Sequence, residues 1–311
     1  MDKNGRVKLT AAVEKVSVVV STYTTKRFDD VMRCILSLRK QTLVPAEILL
    51  VLDPVESLVN FYKSRMPSEV KIVISNQIGL SYSRNAGIKN ATGEILAFID
   101  DDAFPDKMWL ENMVKNFNDP KVIGVGGLIR AEWEGKRPVW FPEELDWIVG
   151  CTYKGFPEKR SVIRNPIGCN MSFRSSIFPK VGYFRTDIGR LGQKLTGDEE
   201  TEFSIRACSM IPQSKIIYDP SAVVYHKVGK NRKSLNYVWA RSFCEGVSKA
   251  IMTNKQAGSH LSAEDAYLRY LLRVAIPSRI RRIYRFEKLC QLIVLLYSTV
   301  AVFSGFASSR L

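Results

Sequence analysis

Three consecutive carboxylates, Asp100-Asp101-Asp102, follow directly on the apolar run Ile95 to Ile99. Two carboxylates one residue apart on an extended turn can both face a hard divalent cation, which takes oxygen ligands and also grips a diphosphate. The spacing suits Mg2+ or Mn2+, although acidic turns after strands are common and the pattern alone carries little. A second acidic group, Gly197-Asp198-Glu199-Glu200-Thr201-Glu202, reads by itself as the solvated start of a helix, where carboxylates meet the positive end of the dipole. His226, one of two histidines, closes the apolar run Ala222 to Tyr225. Its imidazole could complete a metal shell, touch a diphosphate or be structural. Lys230, Arg232 and Lys233 just beyond it could cover phosphates as a loop or form a solvated face.

These groups need a scaffold, and the first hundred residues predict one. Val16 to Val20 is a β-branched run too apolar for a surface strand, and it ends in Ser21-Thr22-Tyr23. Phe28, Val31, Ile35 and Leu38 recur at helical spacing, and Glu47 to Leu52 is a second apolar run ending at Asp53-Pro54. That is a β-α-β unit. A helix near Leu58 to Arg65, a strand at Val70 to Ile74, a helix over Leu80 to Lys89 and a strand at Ile95 to Ile99 complete a doubly wound half. In open parallel sheets ligands bind beyond the carboxyl ends of the strands. The residues to interrogate are therefore Thr22, Asp53 and Asp100 to Asp102.

The run Gly79-Leu80-Ser81-Tyr82-Ser83-Arg84-Asn85-Ala86-Gly87, followed by Thr92 to Asp102, resembles the signature of the family 2 inverting glycosyltransferases. Val18 to Tyr23, Gly168 to Arg174 and Glu199 to Arg206 resemble the same family and occur in its order. The resemblance implies a GT-A fold, an α/β Rossmann-like mixed sheet flanked by helices, over residues 15–230. Residues 15–103 would form the nucleotide-sugar half and 104–230 the acceptor half. It further implies Thr22 and Asp53 at the nucleotide base and ribose, Arg84 beside the diphosphate, Asp100 toward the donor, and Asp102 on Mn2+ or Mg2+, a metal whose shell His226 could complete from its own place after the apolar run. The donor expected is a UDP-sugar. Two places depart from the family pattern. The turn after the second strand, Asp53-Pro54-Val55-Glu56, is short, and Glu200 stands where the family offers an aspartate as catalytic base, with Asp198 as the fallback.

The 311 residues carry 46 Lys and Arg against 31 Asp and Glu, a net charge of +15. Lys227 to Lys288 hold fourteen of the basic residues and four of the acidic ones, so the excess sits in a basic region, 231–288. Leu289 to Ser309 then runs without a charge, about the 20 residues that cross a bilayer. Arg273, Arg279, Arg281, Arg282, Arg285 and Lys288 precede it and would hold the catalytic part on the cytoplasmic face of the cell membrane. Gln291, Ser298, Thr299, Ser304 and Gly305 dilute the segment, so a span and an interfacial helix are both open. Such an anchor favours a lipid-linked acceptor, a polyprenyl or dolichyl phosphate or a saccharide built on one, as in surface-glycan or protein-glycosylation pathways.

The N-terminal extension, 1–14, is polar and lacks a secretory core, and the six cysteines show no metal-ligand spacing and read as reduced thiols. Trp133, Trp140 and Trp147, with Phe141 and Tyr153, could line an acceptor groove, touch lipid or pack a core. Two other classes compete. A sugar-phosphate nucleotidyltransferase would carry a glycine-rich loop after the first strand, where this chain has Ser21 to Arg27 without glycine. A nucleic-acid or membrane-surface binding protein would interleave basic and aromatic residues on one face, whereas here the basic excess collects before the apolar tail. Nucleic acid is therefore not an expected partner.

Overall fold

The computed structural model describes residues 15–188, 197–255 and 262–309; the extension 1–14 lies outside them. In chain order the elements begin β1 (Val16–Thr22), α1 (Phe28–Arg39), β2 (Glu47–Leu52), α2 (Glu56–Lys63), β3 (Val70–Ile74), α3 (Leu80–Asn90) and β4 (Ile95–Asp100). They continue with β5 (Ala103–Pro105), α4 (Trp109–Val114), β6 (Val122–Trp133), β7 (Ser161–Ile163), β8 (Asn170–Arg174), α5 (Phe178–Val181), α6 (Glu199–Met210) and β9 (Lys215–Val228). The C-terminal part is helical: α7 (Leu235–Lys255), α8 (Ser262–Tyr270), a π-helical turn at Leu271–Ala275, α9 (Ile276–Ile280) and α10 (Phe286–Ser308).

One mixed sheet runs β3-β2-β1-β4-β8-β6-β9-β5, with β7 paired to β9. β1 to β4 are mutually parallel in that order, and β8 enters antiparallel beside β4. Alternation along β1 explains the layers. Val18 and Val20 face one core with Val31, Ile35 and Leu38 of α1, and Val19 faces the other with Leu49, Phe98 and Phe203. Both faces are covered, which is why these strands read as unbroken apolar runs. Burying each such Val, Leu or Ile contributes about 1.5–3 kcal/mol.

β6 and β9 are the long pair, and their parallel register is broken twice, between Val122 and Gly124 and, more widely, between Gly127 and Leu128. Gly127 pairs with Asp219, but the next residue, Leu128, pairs with Val223, so Pro220, Ser221 and Ala222 bulge from β9. Beyond the bulge Val224, His226 and Val228 are buried, in alternation with less buried neighbours. β5 pairs with the same stretch, Ala103 opposite His226. The acidic turn after β4 is thereby brought next to His226.

Candidate active site

Thr22, Asp53 and Asp100 end β1, β2 and β4, and the parallel registers Thr22 with Leu52 and Ser21 with Asp100 set them side by side. Asp53 is buried and accepts from the Gly79 amide (3.3 Å) and the Ser83 hydroxyl (3.0 Å). It thereby fixes the start of α3, and burial pushes its carboxyl above the ordinary range in spite of those bonds.

The three aspartates divide by environment. Asp101 points inward, accepting the Thr22 hydroxyl at 2.6 Å and an Arg27 guanidinium bond at 2.5 Å. Burial pushes its carboxyl up to about 6 against the pull of Arg27, and its role is to hold the first strand end to the acidic turn. Asp102, also buried, sits among three nitrogen groups: His226 Nε2 is 3.1 Å from Oδ1, while Arg27 Nη2 and Arg232 Nη2 are 3.2 and 3.4 Å from Oδ2. Burial alone would raise it, but His226, Arg27 and Arg232 outweigh that and hold it well below the usual carboxylate range. Asp100 is the open member, about one-third exposed, with Arg84 Nη2 at 3.6 Å.

His226 is backed by Gly150, whose absent Cβ would stand 3.2 Å from the ring, and its Nδ1 lies 3.6 Å from the Cys151 sulfur. Asp100, Cys169 and His226 bring a carboxylate oxygen, a thiol sulfur and a ring nitrogen within 4.8 Å of one another. Adjacent ligands of an octahedral ion with bonds of 2.0–2.1 Å are about 3 Å apart, which is the separation of Asp102 Oδ1 from His226 Nε2. The oxygen and imidazole donors fit Mg2+ or Mn2+. Burial keeps the Cys169 thiol protonated, and sulfur is the wrong donor for either ion.

Arg84, in the second turn of α3, is buried. It pairs with Glu199 Oε1 at 2.6 Å and donates to the Gly168 carbonyl at 3.1 Å. A Cβ at Gly168 would stand 2.8 Å from Arg84 Nη2, so glycine there admits the guanidinium. This side chain joins the donor half to the second acidic group rather than standing open in a cleft. Within that group the carboxylates have separate environments. Asp198 has a left-handed backbone, φ 76°, and pairs with Lys249 of α7 at 3.0 Å. Among the described residues Glu199 Oε2 and Asp198 Oδ2 are buried without a hydrogen-bond partner. Glu200 is only partly buried, and its carboxyl is pushed up to about 8 by burial and by Glu199 and Asp198, against Arg84. A carboxyl that exchanges its proton near neutral pH and can be reached from outside has the properties of a general base.

Sequence reasoning did not assign Arg27, Cys169 or Glu199 to the site. A basic pair directly after the first strand end, Lys26-Arg27, was the available signal for the first. The loop after β9 differs from either expectation. Arg232 is buried on Asp102 and the Val149 carbonyl, and Lys233 donates to the Glu134 and Lys136 carbonyls. Arg232 braces the site from inside, while Lys233, partly exposed, ties this loop to the 134–136 segment. Trp133, Trp140 and Trp147 pack partly buried against the larger core.

The profile of "Glycosyl transferase family 2" matches residues 17–182. A glucosyl-dolichyl phosphate glucuronosyltransferase of Haloferax volcanii is 33% identical over 301 residues, covering 94% of this chain and 95% of that protein. Among solved structures, a Pyrobaculum calidifontis mannosyltransferase in complex with GDP-Man and Mn2+ matches with a TM-score of 0.62 at 17% identity, over 96% of this chain and 89% of that one. GalNAc-T7 with UDP, GalNAc and Mn2+ matches with a TM-score of 0.52 at 17% identity, over 85% of this chain and 57% of that one. Both likenesses are of fold, the mixed sheet with flanking helices of the GT-A type. From the ordered motifs, this fold and the match over most of its length to a named transferase, the chain belongs to glycosyl transferase family 2 and is a glycosyltransferase.

Proposed function

We propose that this glycosyltransferase moves a sugar from a nucleotide-sugar donor, a UDP-sugar, to a saccharide carried on a dolichyl or polyprenyl phosphate, with inversion at the anomeric carbon and a divalent metal. The observation that carries the reading is the pairing of a carboxylate–imidazole site at the strand ends with a second acidic group at the start of α6. The Asp102 and His226 donors are 3.1 Å apart at the strand ends, and the partly open Glu200 is tied to the same region through Glu199 and Arg84. Dolichyl phosphate enters through the Haloferax volcanii relative, which is named for a glucosyl-dolichyl phosphate acceptor and matches nearly end to end.

In this scheme Asp53 and Thr22 border the nucleotide base and ribose, with Asp53 stiffened by its bonds to Gly79 and Ser83. Asp102 and His226 would hold Mn2+ or Mg2+, which would supply positive charge against that growing on the departing diphosphate. Asp100 faces the donor. Arg84 contributes positive field from behind Asp100 rather than a direct contact. Glu200 takes the proton of the acceptor hydroxyl as its oxygen bonds to the anomeric carbon. The bond from that carbon to the donor phosphate breaks in line, and its electron pair leaves with the nucleoside diphosphate. Asp198, paired with Lys249, is the less available base.

Residues 15–230 form the catalytic unit, 231–288 the basic helical region and 289–309 the attachment to the cytoplasmic face of the cell membrane. Incubating labelled nucleotide sugars with a membrane lipid extract, with and without Mn2+, tests the scheme. A labelled lipid product that needs both Mn2+ and the lipid fraction is the expected outcome. Undiminished transfer in chelator, or equal transfer to short water-soluble acceptors, would overturn the metal or the acceptor assignment respectively.

A further inference from the structure

The C-terminal apolar helix is long enough to cross a bilayer, with a mean hydropathy of 1.9 over its most apolar window. Its packing decides between crossing and lying flat. α10 meets α7 through small residues: a Cβ on Gly246 would stand 2.0 Å from the Val302 carbonyl oxygen, and one on Gly305 2.0 Å from that of Phe243. The Ser242 and Ser298 hydroxyls are 2.8 Å apart, and the Trp239 and Tyr297 rings are 4.9 Å apart. Backbones in such contact behave as one body.

α7 is joined to the catalytic domain through the Lys249–Asp198 ion pair, set in a charged cluster with Glu245 of α7 itself and Glu264 of α8. Lys249 bridges Asp198, Glu245 and Glu264 at 3.0, 3.1 and 3.0 Å, and Arg241 pairs with Glu245 at 2.9 Å. At the other end Gln291 of α10 donates to the Val139 carbonyl at 2.9 Å, and Arg279 forms a buried pair with Glu144 at 2.6 Å. Carrying α10 across a bilayer would either drag Arg241, Glu245 and Lys249 into hydrocarbon or tear this interface apart. Meanwhile the outer face of α10 shows Ile293, Leu296, Val300 and Phe303, each 50–61% exposed and spaced three or four residues apart. Immediately before it, Ile283, Tyr284 and Phe286 are exposed beside exposed Arg281, Arg282 and Arg285.

We propose that α10 lies in the plane of an anionic bilayer surface, with its small-residue face on α7, its apolar stripe in the acyl boundary and the three arginines among the headgroups. An apolar stripe flanked by arginine matches such a surface in both parts. The inference deepens the lipid-linked acceptor reading, which gives the seat its purpose, and its test needs no turnover.

Flotation of the full chain with phosphatidylcholine vesicles, with and without phosphatidylglycerol, is the measurement. Binding to the anionic vesicles is expected. Replacing Arg281, Arg282 and Arg285 by Ala should reduce partition by about 100-fold, from roughly a fivefold loss per charge. Ile293→Glu with Phe303→Glu should abolish it while far-UV circular dichroism stays unchanged. In sealed membrane vesicles with the catalytic domain outermost, Ser309→Cys should react with an impermeant maleimide added outside. Reaction only after the vesicles are opened would mean a span and overturn the proposal. So would failure to float together with a dimer in light scattering, or unchanged flotation of the arginine variant. Transfer to a lipid-linked acceptor in detergent without vesicle binding would refute the seat and keep the acceptor, and vesicle binding without such transfer would do the reverse.

Discussion

Replacing Glu200 by Gln separates catalysis from architecture at one atom pair. The carboxyl is pushed up to about 8 by burial and by Glu199 and Asp198, against Arg84. If Glu200 is the base, about a tenth of the enzyme carries the reactive carboxylate at pH 7 and half at pH 8, so kcat/KM should rise about fivefold over that interval. Gln cannot accept the proton, and the variant should lose about 10²–10⁴ in kcat with the pH limb abolished. The stability sign is opposite. A carboxyl whose folded value is raised holds its proton more tightly when folded. The stability it supports is therefore present at low pH and lost as pH climbs from the unfolded value of 4.5 toward 8. After screening of the part-exposed group, that loss is on the order of 3 kcal/mol, and it is absent in the Gln variant. Thermal melts of both proteins between about pH 5 and about pH 9, beside pH-rate profiles, read the two effects together. Parallel melting curves across that range, with an acid limb centred near an ordinary glutamate, would refute the reasoning.

Three further outcomes follow from the geometry. Mn2+ should raise the melting temperature of the protein by an increment equivalent to about 2.7 kcal/mol at a hundredfold excess over Kd, and Asp102→Asn should remove both that shift and turnover in differential scanning calorimetry and transfer assays. Arg84→Met leaves Glu199 buried beside Glu200 without its cation; chemical denaturation should show a loss of about 3–5 kcal/mol, and equal stability would mean Glu199 is protonated in the fold. Gly246→Val drives a side chain into the Val302 carbonyl; proteolysis should then release a C-terminal fragment containing α10 while the catalytic domain resists, and an unchanged digestion pattern would count against the close crossing.

The doubly wound half was legible because its strands are buried on both faces. Val70–Ile74 is found as read, and the strand and helix ends elsewhere in β1 to β4 fall within two residues of the expected positions. Within the acidic turn Asp101 is buried on Thr22 and Arg27 while Asp100 stays about one-third exposed, a difference set by partners distant in the chain and not by residue type. Other features depend on distance in the chain. Arg84 reaches Glu199 across 115 residues and Lys249 reaches Asp198 across 51, and no local pattern marks such pairs. The basic surplus of 231–288 is a case where composition misleads. Arg232, Arg241, Lys249 and Arg279 face carboxylates inside the protein, so only part of that charge is offered to a partner. Antiparallel entry of β8 beside β4 is likewise set by packing, because a five-residue strand has no direction written in its sequence.

The bulge in β9 has a meaning for how this sequence can change over time. Side chains alternate along a strand, so adding or deleting a single residue between Val223 and His226 would exchange His226 for Tyr225 or Lys227 at the face opposite Asp102. The three residues Pro220, Ser221 and Ala222 already stand out of register, and Ser221 is exposed. Length variation absorbed there would leave the phase of everything downstream untouched. The strand thus behaves like a sentence with one place to pause: insertions are tolerable at the bulge and ruinous a few residues later. Lineages that diverge in length should do so on the near side of Val223.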